Sequence, residues 1–126
     1  MQTAAPSSAA RKCMSAERRR EVSQELALAE RWTESVVLDW MALRSQLFAW
    51  LERRGIAYAG TRDALLAAMT MLRSDGAAAD LSFVYHVATL AEWDETFEVT
   101  ADQAAIVRQA FARIRNAMGT ADRQTP

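Results

Sequence analysis

The chain has 126 residues, 51% of them apolar and 25% charged, with a formal net charge of −1. This balance excludes a disordered chain and is that of one globular domain, and the near-zero charge excludes a general electrostatic field for nucleic acid. The single cysteine, Cys13, excludes an intramolecular disulfide and a multi-cysteine metal site.

Only four glycines and two prolines occur, and the prolines, Pro6 and Pro126, stand at the two ends. With no proline in between, nothing interrupts long helices, and 26 alanines favour them. The predicted class is therefore all-α: a four-helix bundle-like domain over 15–119, between flexible tails at 1–14 and 120–126. Fourteen of the 15 basic residues are arginine, which together with the alanine content fits a GC-rich, bacterial genome. A lone thiol fits a reducing cytoplasm. Residues 1–13, MQTAAPSSAARKC, lack the apolar run of a secretory signal, and Met14 is a second candidate start. Asp39 and Arg44 interrupt the best candidate for a membrane span, which needs about 20 apolar residues.

The first predicted helix starts at Ser15, as N-cap, and meets no stop signal until Arg53-Arg54-Gly55. Glycine at C′ followed by the apolar Ile56 is the pattern of a Schellman termination. The result is one helix of about 40 residues, or roughly 58 Å, with a hinge near Thr33 as an alternative that no helix breaker marks. Its seam runs through Val22, Leu26, Ala29, Val36, Trp40, Leu43, Leu47 and Trp50 in steps of three and four. Beyond Val36 the stripe widens with Val37, Met41 and Phe48, as a buried helix needs. Before Thr33 it is narrow and crowded by charge.

A second helix is predicted from Thr61, as cap, to Arg73, closed by Gly76. A third runs from an Asp80 cap to Glu92. Its apolar residues Leu81, Phe83, Val84, Val87, Leu90 and Trp93 surround it almost completely, which predicts the most buried helix. The β-propensity of 81–87 and 96–100 leaves an alternative, an α+β arrangement with a small hairpin at 81–100. Thr100-Ala-Asp-Gln103 is a capping box and opens a fourth helix ending at Met118.

The other three helices are too short to cover the first, so its N-terminal part overhangs. Val22, Leu26, Ala29 and Trp32 then form an association face, and a closed homodimer is the expected partner arrangement. The expected function is a small non-catalytic interaction or regulatory protein. Arg18, Arg19 and Arg20 form a basic patch, which supports an alternative as a nucleic-acid-binding regulator. Glutamates 17, 21 and 25 interleave with that patch, however, and favour a salt-bridged helix face. Glu92, Asp94, Glu95 and Glu98 form an acidic patch that reads as a solvated rim. Trp40, Met41, Met69, Met71, Tyr85 and Trp93 support a further alternative, a small-molecule-binding bundle. His86 is the single histidine and has no serine–acid context for nucleophilic catalysis. No phosphate-cradling glycine loop or zinc spacing occurs, so no enzyme activity, cofactor or metal is expected.

Overall fold

In the computed structural model, which describes residues 7–72 and 76–124, the chain forms five helices and no strand among the described residues. They are α1 (Ser8–Leu28), α2 (Trp32–Arg53), α3 (Thr61–Met71), α4 (Ala77–Trp93) and α5 (Ala101–Gln124). The all-α class holds: of 81–100, where a hairpin was the alternative, 81–93 is helical and 94–100 forms no strand.

The long first helix does not exist as one element. It ends at Leu28 and restarts at Trp32, and the two halves fold back as a hairpin. The stop is a Schellman motif without glycine. Arg31 N–H donates to Leu26 O at 2.9 Å and Glu30 N–H to Ala27 O at 3.0 Å, while Glu30 takes the left-handed conformation with φ 60°. Gly55 closes α2 with the same pair of bonds, Ile56 N–H to Leu51 O and Gly55 N–H to Glu52 O, both 3.0 Å. There the glycine announces the turn in the sequence; at Glu30 nothing does.

Small residues hold the hairpin together. Ala16 and Ser23 on α1, and Ser35, Ala42 and Ala49 on α2, are all buried at seven-residue spacing. The three alanines lie outside the main hydrophobic cluster. Ser23 Oγ donates to Ser35 O at 2.8 Å, and Ser35 Oγ donates to Ser23 O at 2.9 Å. Such reciprocal side-chain-to-backbone bonds require two closely approaching backbones, which small side chains permit. Arg19 reaches Ser45 Oγ at 3.1 Å, and Lys12 pairs with Glu52 near the Tyr58 hydroxyl.

The opposite face of α2 carries Val36, Trp40, Leu43, Leu47 and Trp50 into the core, where Leu81, Val84, Phe111 and Ile114 meet them. α2 is thus central. It packs on every other helix, whereas α1 packs on α2 alone.

Several helix boundaries differ from expectation. Ser7, not Ser15, caps α1 and accepts from Ala10 N–H at 3.1 Å, so 8–14 is helix rather than tail. Residues 120–124 are also helical. Asp122 there accepts from Trp50 Nε1–H at 3.0 Å and pairs with Arg54, whose guanidinium lies 3.9 Å over the Trp50 ring. α3 follows Gly60 rather than a Thr61 cap, and Asp63 accepts from Ala59 N–H at 2.7 Å. Arg73, the expected end of that helix, lies outside the described residues. Gly76, at φ 85°, precedes α4, and the expected cap Asp80 sits in its first turn with a two-pronged bond to Arg113 at 2.8 and 2.9 Å. The capping box forms as expected: Thr100 N–H to Gln103 Oε1 at 3.0 Å and Gln103 N–H to Thr100 Oγ1 at 3.2 Å.

Candidate functional site

The expected association face is dispersed by the break at Glu30. Val22 and Ala29 point to solvent and Leu26 is half-buried on α1, while Trp32 opens a different helix. Trp32 is partly covered within its own chain. It packs against the core, with the Arg108 guanidinium 5.4 Å from its ring centre. The loop before α5 closes over the same end, with Val99 N–H donating to Thr33 Oγ1 at 2.9 Å. The overhang that motivated association through this face is therefore absent.

The basic patch does not assemble either. Arg18 is exposed, Arg19 is committed to Ser45, and Arg20 turns into a cleft toward α5. Three consecutive arginines on a helix point in three directions, 100° apart, so adjacency in sequence is not a patch in space. The acidic residues Glu92, Asp94, Glu95 and Glu98 all remain exposed. Asp94 acts locally, since its carboxylate accepts from Thr96 Oγ1 at 2.6 Å and from Thr96 N–H at 2.9 Å. These bonds, the hydroxyl foremost, hold it below the usual aspartate range and shape the turn that ends α4. Among the described residues no cluster of three His, Cys, Asp or Glu side chains is placed to hold a metal ion. None of the described helices is long and apolar enough to cross a membrane.

Trp40 is buried against Tyr85 at 5.5 Å between ring centres. Met69 and Tyr85 line only an open groove of about 230 Å³ between α3 and α4, below the roughly 300 Å³ at which small-molecule pockets begin. Trp93 is outside altogether.

The exposure of Trp93 belongs to a larger departure from expectation. In place of a helix buried all round, α4 is covered by α2, α3 and α5 on one side only. Phe83, His86, Leu90 and Trp93, in steps of three, four and three, line its open side. Phe83 is 40% and Trp93 78% exposed. On neighbouring α5, Ile106 is 53% exposed. It stands two turns before Arg113, the partner of Asp80 on α4, and so emerges toward the same helix pair. These residues are visible in the sequence, but a helix apolar all round carries no mark of which stripe will lack a neighbour. One end of this face is acidic, with Glu92 and Glu95; at the other, Arg113 and Asp80 form their ion pair. No family model, curated protein or solved structure matches this chain.

Proposed function

We propose that this chain is a non-catalytic helical interaction protein that pairs with a second copy of itself through the exposed face of α4. The observation that supports this reading is the aromatic stripe Phe83–His86–Leu90–Trp93 on the most apolar helix of the fold. Water contact with such a stripe is unfavourable by about 25 cal/mol per Å² of apolar surface, and large exposed apolar patches mark interaction sites.

A second copy suits the face because the stripe can pair with itself. In an antiparallel two-fold pairing centred near Ala88, Phe83 lies opposite the partner's Trp93, and His86 opposite the partner's Leu90. An isologous contact of this kind closes on itself and gives a dimer rather than a filament. Homodimerisation, expected from the sequence through Val22, Leu26, Ala29 and Trp32, is assigned here to α4 instead.

Sedimentation equilibrium across the micromolar range tests the reading. The wild type is expected to be dimeric and Trp93→Glu or Phe83→Glu monomeric, while Val22→Glu on α1 stays dimeric. A monomeric wild type, or a dimer that survives both α4 substitutions, would sink it.

A further inference from the structure

α1 and α5 both rest on α2, but their backbones do not approach each other, and the space between them is a cleft of about 210 Å³. Arg20 and Ser23 of α1, Asp39 of α2, and Arg108, Phe111 and Arg115 of α5 line it. Three guanidinium groups face one carboxylate, which leaves a formal charge of +2 in a confined space.

Four cations elsewhere form one-to-one ion pairs: Lys12 with Glu52, Arg31 with Glu34, Arg54 with Asp122 and Arg113 with Asp80. Here, among the described residues, no ion pair joins Asp39 to any of the three arginines. Arg115 commits its Nε–H to Gln46 Oε1 at 3.0 Å, and its Nη2 is buried without a hydrogen-bond partner. Arg108 is held against the Trp32 ring, which fixes one wall without neutralising it. The electrostatics carry the same imbalance. Burial, reinforced by Arg20, lowers the Arg115 pKa to about 10, with Asp39 opposing. Burial raises that of Asp39, against the Ser23 hydroxyl and the three arginines. A buried donor left unsatisfied is costly, and an anion would supply the acceptors this concavity lacks.

We propose that this cleft binds a small dianionic oxyanion of the phosphate type, held by Arg20, Arg108 and Arg115. Guanidinium forks match the oxygen spacing of phosphate, and two negative charges neutralise the site. The size fits a free phosphate or a phosphomonoester group. An extended nucleic-acid backbone needs an open row of cations, and Arg18 and Arg19 do not continue the cluster. The net positive lining then selects for charge: it attracts a dianion about twice as strongly as a monoanion, while Asp39 moderates both.

The test is calorimetric titration of the full chain with inorganic phosphate, with acetate at matched ionic strength as the monoanion. One saturable phosphate site is expected, and none for acetate. Arg20→Gln and Arg108→Gln should each weaken binding about tenfold or more, as loss of a charge-assisted hydrogen bond does. Asp39→Asn should strengthen it, and Arg18→Gln should leave it unchanged. These positions keep the test valid if Arg115→Gln fails to fold, and Trp93→Glu should bind phosphate normally, which separates this site from the α4 face. No saturable phosphate binding overturns the proposal, as does acetate binding equally well, or Arg18→Gln losing as much affinity as Arg20→Gln.

Discussion

On one side of α2, Ser35, Ala42 and Ala49 recur every seven residues and face α1; one residue further on, Val36, Leu43 and Trp50 recur at the same interval and enter the core. The first series lets two backbones approach until serine hydroxyls reach carbonyls across the gap. The second keeps neighbours at a distance and fills the space with side chains. Burial is nearly complete on both faces, but only the second removes large apolar surfaces from water. The hairpin therefore depends on fit, and the core on area. Substitutions on the two faces should separate these dependences.

Leu43→Ala should have the largest effect. The side chain is fully buried in the main cluster, and such truncations cost about 2–5 kcal/mol. Because α2 touches every other helix, the loss should be cooperative: a urea transition moved to a lower midpoint with one unchanged shape. Two separated transitions would mean that α2 does not unify the fold.

Ala42→Leu is expected to cost less, about 1–3 kcal/mol from overpacking, and to act locally. Since α1 packs on α2 alone, it can open while the remaining helices stay folded. Amide exchange should accelerate over 8–28 and remain slow in α4 and α5. Equal acceleration throughout would show that the hairpin and the core are one cooperative unit.

Ser23→Ala removes one hydroxyl from the reciprocal pair and takes its donor from the buried Ser35 carbonyl, while Ser35 Oγ still donates to the residue 23 carbonyl. A loss of about 1–2 kcal/mol is expected. Ser23→Ala with Ser35→Ala should recover part of it, since both polar side chains are then absent. A double variant weaker than the sum of the singles would contradict the role assigned to the pair.

The contrast between the two faces also explains what is legible in the sequence. Hydrophobic periodicity identifies residues that are buried for their area, so Trp40, Leu43, Leu47, Phe111 and Ile114 are assignable to the core from spacing alone. Alanine and serine are silent in that pattern, because they occur as readily on exposed helix surfaces. Ala16, Ser23 and Ala42 therefore give no sign of a helix–helix contact, and the hydrophobic seam continues across residues 29–31 as if the helix did. The candidate sites suffer from the same blindness. Phe83 and Trp93 read as core because a helix apolar all round does not say which side lacks a neighbour. Arg108 and Arg115, seven residues apart on α5, acquire meaning only when the hairpin swings Arg20 across to face them.

Glu30 is where the two readings part, and its substitution should give the smallest effect and the only gain. Its φ of 60° is the conformation that Gly55 adopts at the other end of α2 with φ 69°, in the same pair of termination bonds. A side chain there costs about 1–2 kcal/mol of steric strain, against which glycine loses somewhat more entropy on folding. Glu30→Gly should therefore stabilise by about 0.5–1 kcal/mol and raise Tm by a few degrees. Glu30→Gln keeps the side chain and removes the charge, and should leave Tm nearly unchanged. If the chain instead favoured one continuous helix through this point, glycine would weaken it by about 1 kcal/mol as in any helix interior. The sign of the change in Tm thus decides between a hairpin and a long helix, at a turn that no glycine or proline announces.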